Sequence, residues 1–223
     1  MTGYVRKRYI PESYIREDET SGKYQCREHV ISRGVQSQYS PAALILLFFA
    51  FSAVGWLWEV AYHLWVDGLF INRGFLLGPW LPIYGTGGVL ILVVLKKYFD
   101  RPLTLFFMIM GICGIVEYVT GWLLETMFHE KWWDYSEYTF QIQGRVCLIG
   151  LLIFGLGGLA FVYGAAPWLN QRIENMKSHT RNFLCMALLM IFVLDVLYSF
   201  CHPNQGAGIT LPVQFLMDAG FQR

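Results

Sequence analysis

Ionisable side chains within apolar stretches long enough to cross a bilayer each need a partner or a water-lined cavity. Glu117, Gly121 and Glu125 recur every four residues, so a helix would set all three on one face, its carboxylates about 12 Å apart along the axis. Glu59 and Asp195 are the other acids in apolar surroundings. Arg73 lies in the run Asn72-Arg73-Gly74-Phe75-Leu76-Leu77-Gly78-Pro79, whose glycines and proline bar a regular helix. Irregular backbone at membrane depth persists only when it is buried in protein or lines a cavity, so the run reads as a re-entrant or bent lead into the next span. The guanidinium of Arg73 then calls for a carboxylate, a cluster of carbonyls or an anionic ligand. An ion pair with Glu59 or Glu125 meets that need internally, whereas an anionic headgroup or solute would be gripped by the bidentate fork.

A second polar block follows as Lys131-Trp132-Trp133-Asp134-Tyr135-Ser136, then Gln141-Ile142-Gln143-Gly144-Arg145. Two tryptophans before Asp-Tyr-Ser suit an interfacial cap in which the aspartate accepts backbone hydrogen bonds at a turn. The candidate binding set is Glu59, Asn72, Arg73, Tyr84, Glu117, Glu125, Trp133, Asp134, Tyr135 and Arg145. Glu59 with His63 and Glu125 with His129 also place a carboxylate and an imidazole on one helix face, a spacing that would suit zinc or iron in a bundle. That spacing is common and histidine at a span end is usually an interface residue, so no metal and no cofactor are expected. No nucleophile elbow, Ser-x-x-Lys or His-Glu-x-x-His pattern occurs, and no glycine-rich Lys-Ser/Thr phosphate loop. The reading therefore leans away from an enzyme.

The elements that must position these residues are helices. The chain has 223 residues, 55% hydrophobic and 15% charged. Crossing a bilayer takes about 20 apolar residues. The candidate runs are 41–64, 79–95, 103–128, 146–169 and 182–200, the second being short unless the loop before it dips into the membrane. The fold class is all-α, a polytopic helical membrane protein of about five transmembrane helices. A polar segment 1–40 precedes the helical domain 41–200, and a tail 201–223 follows.

Charge supplies the orientation. Seven basic residues precede the first span, Lys96, Lys97 and Arg101 follow the second, and Arg172, Lys177 and Arg181 follow the fourth, leaving Arg73, Lys131, Arg145 and Arg223 for the other side. Positive charge is retained in the cytoplasm, which puts the N-terminus inside, the tail outside and the polar blocks at the outer face. The first 40 residues carry twelve charges and no apolar stretch, so the first span is expected to act as its own insertion signal. A net charge of +1 with no basic stripe argues against nucleic acid. Five scattered cysteines suggest neither a disulfide framework nor a zinc knuckle.

The first and third spans end alike, Gly55-Trp56-Leu57-Trp58-Glu59 through His63 against Gly121-Trp122-Leu123-Leu124-Glu125 through His129. Tyr84-Gly85-Thr86-Gly87-Gly88 is echoed by Phe154-Gly155-Leu156-Gly157-Gly158. Two parallel-repeat helical hairpins, about 41–97 and 103–169, are expected, plus one extra helix at 182–200. Binding sites tend to form at the interface of such repeats.

These residues carry a resemblance to a bacterial membrane family, the ABC-transporter type IV or CmpB-like permeases. The family's pattern is matched at Gly55 to Glu59, Asn72 to Gly85, Glu117 to Glu125, Trp133 to Ser136 and Gly144-Arg145, over roughly residues 43–165. Gln141 departs from it, where the family more often has Asn. The Trp-Asp-Tyr-Ser block also resembles a group of animal multi-pass membrane proteins. The basic N-terminal extension and the fifth span are expected to be peculiar to this chain's branch. The resemblance implies a permease-like protein of a bacterial plasma membrane that binds or moves a polar or anionic solute from the outer face. Its expected partners are membrane lipid, a second copy or other transporter subunits, and a separate ATPase. The residues leave two alternatives open: an intramembrane enzyme or lipid-headgroup-binding protein, with Glu117 or Glu125 as acid or base, and a non-catalytic scaffold fixed by an internal ion-pair network.

Overall fold

The computed structural model describes residues 38–206 and 208–210, so the polar N-terminal segment, Cys26, most of the tail and Arg223 lie outside the described residues. Five apolar helices carry the fold: α1 Pro41–Val66, α2 Pro82–Val94, α3 Pro102–Phe128, α4 Leu148–Glu174 and α5 Ser178–Cys201. Four of them are long and apolar enough to cross a membrane. The other, α2, has 13 residues and would rise only about 20 Å, too little for a hydrocarbon core of about 30 Å. The helix is thus shorter than the 79–95 expected.

Helix starts follow local chemistry. Pro41, Pro82 and Pro102 open α1, α2 and α3, where the missing N–H would have had no helical partner. Ser40 caps α1 by accepting the Ala43 N–H at 3.2 Å, and its hydroxyl donates to Glu174 at 2.5 Å. Glu174 in turn pairs with Arg181 at 2.5 Å, which ties the beginnings of α1 and α5 to the end of α4. Within α4, residues Phe161–Ala165 form a wide π turn in which the Ala166 N–H bonds to the Phe161 carbonyl. Pro167 explains it: proline has no N–H to give and its ring collides with the carbonyl four residues back.

Helices α1 and α2 pack antiparallel, as do α3 and α4; α2 also touches α3, and α1 touches α4 and α5. Small residues permit the close approach. A Cβ on Gly55 would enter the Tyr84 ring, and one on Gly85 would strike Ser52 and the Phe48 carbonyl. In the second hairpin Gly155 faces Phe106 and Gly158 faces Ile109. The main apolar core, with Leu47, Leu92, Leu95, Phe99, Leu105, Ile109 and Val162, occupies the end where α1 begins and α4 finishes. The polar residues gather at the opposite end, here called the site end. There Phe49, Leu76 and Trp80 form a second core patch against Phe192 and Val196 of α5.

A β-hairpin absent from the sequence reading precedes α4, with β1 Gln141–Ile142 antiparallel to β2 Val146–Cys147. Its turn puts Gln143 at φ 51° and Gly144 at φ 68°, and the Arg145 N–H closes on the Ile142 carbonyl at 3.0 Å. A glutamine pays for a left-handed backbone, and here its side chain offsets that cost by accepting from Tyr118 and Arg145, both at 2.7 Å.

Candidate functional site

The loop from α1 to α2 is irregular over residues 70–81 yet well packed, with Ile71, Leu76, Trp80 and Leu81 buried. Much of its backbone is satisfied from outside itself. Asp195 of α5 accepts the Gly78 N–H at 3.0 Å, the Leu77 N–H at 3.3 Å and the Trp80 indole N–H at 2.7 Å. Asn72 accepts from the Trp56 indole at 2.6 Å and donates to the Leu77 carbonyl at 2.8 Å. From beyond α5, Asn204 donates to the carbonyls of Asn72 and Gly74.

Arg73 reaches outward from this loop. It donates to the carbonyls of Gly208 at 2.7 Å, Ile209 at 3.1 Å and Trp132 at 3.0 Å, and its Nε lies 3.9 Å from Glu59. A carbonyl cluster is its main answer and the carboxylate its second. Glu59 accepts the Tyr84 hydroxyl at 2.8 Å. Arg145 is held more tightly to an acid, at 2.6 Å from Glu125. Both arginines thus engage partners within the protein through their terminal nitrogens and each lies beside a carboxylate, while neither Nε has a hydrogen-bond partner.

The Trp-Asp-Tyr-Ser block wraps onto the hairpin. The Trp133 indole donates to the Arg145 carbonyl at 2.8 Å, and the Tyr135 N–H donates to the Gly144 carbonyl at 2.7 Å. Asp134 builds the turn, accepting the Ser136 N–H at 2.9 Å and the Ser136 hydroxyl, and pairing with Lys131 at 3.0 Å. Partial burial pushes the Asp134 carboxyl upward, but the bonds from Ser136 and Lys131 outweigh it and hold it below the usual carboxylate range. Gly144 lies against this turn, where a Cβ would meet Asp134 and Ser136.

At the centre, Tyr135 donates to Glu117 at 3.1 Å. Glu117 is 4% exposed, and its second oxygen has no hydrogen-bond partner. It lies about 16 Å below the end of α3 by the helical rise. An ionised carboxylate at such depth costs at least about 2.5 kcal/mol unless it is answered. The Tyr135 phenol is held well above its ordinary range, first by burial and then by the charge of Glu117, with Cys147 and Glu59 also acting on it. Tyr84, Glu59, Glu117 and Tyr135 therefore form one electrostatically connected group drawn from α1, α2, α3 and the following loop.

Of the ten candidate binding residues, Glu59, Tyr84, Glu117 and Tyr135 come together here. Glu125 and Arg145 pair beside them, Arg73 bridges to the tail, and Asn72, Trp133 and Asp134 serve the local architecture. The histidines of the repeat part ways: His63 bonds Asp67 at 2.5 Å, while His129 ends α3 in a left-handed conformation at φ 58°. Among the described residues no three metal-ligating side chains converge, so Glu59, His63, Glu125 and His129 form no common set. Sequence reasoning missed Asn204 and gave Asp195 no role; both act on backbone groups far away in sequence.

Long apolar helices enclosing a buried carboxyl and phenol group, with carboxylate-paired arginines around it, define a polytopic helical membrane protein. Residues 46–200 match the family described as "Putative ABC-transporter type IV", and the chain belongs to that family. The match takes in nearly all of α5, so the fifth helix is part of the family's unit and not an addition peculiar to one branch. The Asp195 contacts give the physical reason, because without α5 the α1–α2 loop would lose its acceptor. No curated protein and no solved structure matches the chain.

Proposed function

We propose that this chain is the membrane-spanning component of a transport system in a bacterial plasma membrane, with its N-terminus in the cytoplasm and the site end outside. It works with partner subunits that include a separate ATPase, the reading that the family's description supports. The observation that carries the reading is Glu117, buried among side chains from both hairpins with one oxygen unanswered. The solute is polar and engages the carboxyl and phenol group of Glu117, Glu59, Tyr84 and Tyr135. An anionic solute is disfavoured, since Arg73 and Arg145 are occupied by carbonyls and carboxylates.

The same arginine contacts favour a second reading, a non-catalytic scaffold fixed by internal ion pairs. Purification of the tagged chain from its native membrane in mild detergent separates the two. The transport reading expects an ABC-type ATPase to accompany the chain and its nucleotide hydrolysis to change when Glu117 is replaced by Gln. A chain that purifies without an ATPase is a scaffold.

A further inference from the structure

We propose that Glu117 holds one exchangeable monovalent cation, a proton or an alkali-metal ion, between the two hairpins. Three observations converge on it. First, its carboxyl is 4% exposed and Oε2 lacks any hydrogen-bond partner, while Oε1 receives only the Tyr135 hydroxyl. Second, the other membrane acids are answered within the protein. Glu59 has Arg73 and Tyr84, Glu125 has Arg145, and Asp195 has two backbone N–H groups, an indole and the Ser199 hydroxyl. Among the described residues no lysine, arginine or histidine comes within 4.0 Å of Glu117.

Third, the arginines of this end are turned to other acids, Arg73 to Glu59 at 3.9 Å and Arg145 to Glu125 at 2.6 Å. Although the Arg145 stem packs against Gly121, one turn from Glu117, the remaining groups around Glu117 bring no positive charge. Tyr135 comes from the loop after α3, Glu59 from α1 and Tyr84 from α2; Cys113 lies one turn back on α3, and Cys147 of β2 stands beside Tyr135. Each is neutral or acidic. A buried carboxylate must be neutralised, and within 4.0 Å of this one the described residues offer no cation. The orphan oxygen is where the missing positive charge fits. An intramembrane carboxyl of this kind is suited to taking up and giving back its cation as the hairpins shift.

The inference rests on reading the cluster as a ligand site, but its test needs no nucleotide and no partner subunit, so it fails or succeeds apart from the transport reading. The detergent-purified full chain is treated with dicyclohexylcarbodiimide, which modifies protonated carboxyls in apolar surroundings, and Glu117 labelling is quantified by peptide mass spectrometry. The reaction is run from acid to alkaline pH, and in sodium, potassium or choline chloride at constant ionic strength. Labelling that rises severalfold toward acid pH and ignores the salt identifies a proton. Labelling suppressed severalfold by sodium or potassium relative to choline identifies an alkali ion. A Glu117 that reacts at one unchanging rate, or not at all, across these conditions overturns the proposal. In parallel, the thermal midpoint of the parent is expected to shift by several degrees with the effective cation and that of Glu117→Gln to stay fixed. Equal shifts in both also overturn it. If Glu117→Gln does not fold, the labelling of the unaltered chain still decides.

Discussion

Tyr135 gives its phenolic hydrogen to Glu117 at 3.1 Å, joining a loop outside the bundle to the buried middle of α3. The tyrosine can reach there because its own N–H is fixed to the Gly144 carbonyl and the neighbouring Trp133 indole to the Arg145 carbonyl. The β-hairpin thus aims the phenol, and the phenol is the hydrogen-bond donor that Glu117 has among the described residues.

Replacing Tyr135 by Phe keeps the ring and removes that bond, leaving a buried carboxyl with no donor. The expected loss is about 1–3 kcal/mol, read as a lower thermal midpoint in mild detergent. A pH effect accompanies it. The fold raises the phenol's pKa, so the folded state favours the protonated form. That contribution is complete below the unfolded value of about 10 and is withdrawn as pH climbs through the folded value. Phenolate absorbance should show a step that ionises above the ordinary tyrosine range, and that late step should shrink in Tyr135→Phe. Simultaneous ionisation of all tyrosines would contradict the burial of the phenol.

Asp195 anchors the α1–α2 loop to α5, and its loss strands the N–H groups of Leu77, Gly78 and Trp80. Asp195→Ala is expected to cost about 3 kcal/mol, since hydrogen bonds to a charged acceptor are among the stronger ones. Asp195→Asn keeps one acceptor oxygen and should lose less. Amide exchange over residues 72–81 would rise in both variants and most in the alanine. Unchanged exchange there would mean that the loop holds its shape without α5.

Much of this architecture was legible in the sequence for physical reasons. The four long helices announce themselves through uninterrupted apolar length, and the prolines and glycines before α2 mark the irregular loop there, though the helix begins at Pro82 and not at 79 as expected. The site was harder. Arg73 was recognised as needing partners, but three of those it found are backbone carbonyls, which carry no residue signature. Asp195 was visible as a costly acid, yet its partners lie more than a hundred residues earlier. The matching histidines looked equivalent by spacing, while helix termination gave His129 a capping conformation and His63 a neighbouring aspartate. The β-hairpin has strands of two residues each, too short for any alternation to register.

Glycines in the hairpins separate into those that permit contact and those that do not. A Cβ on Gly85 would run into Ser52 and the Phe48 carbonyl, so Gly85→Ala should push α1 from α2 and destabilise by about 1–3 kcal/mol. Gly157, two residues beyond Gly155, the counterpart of Gly85 in the second hairpin, has nothing within 4 Å of an added Cβ. Gly157→Ala should be neutral or stabilising by up to about 1 kcal/mol, through helix propensity alone. Thermal midpoints of the two variants measured together test the packing, and equal effects would show that the glycines act through propensity only.

The basic loops predict which face of the membrane the cluster serves. Lys97 is exposed beside the end of α2, and Glu137 is exposed on the loop that carries Tyr135, at the opposite end of the bundle. In a cysteine-free background, Glu137→Cys should react with a membrane-impermeant maleimide in intact cells. Lys97→Cys should react only after permeabilisation, the outcome expected of the orientation proposed from the excess of basic residues. The reverse pattern would turn the bundle over. Glu117 would then exchange its cation with the cytoplasm, and a solute would be met from inside the cell.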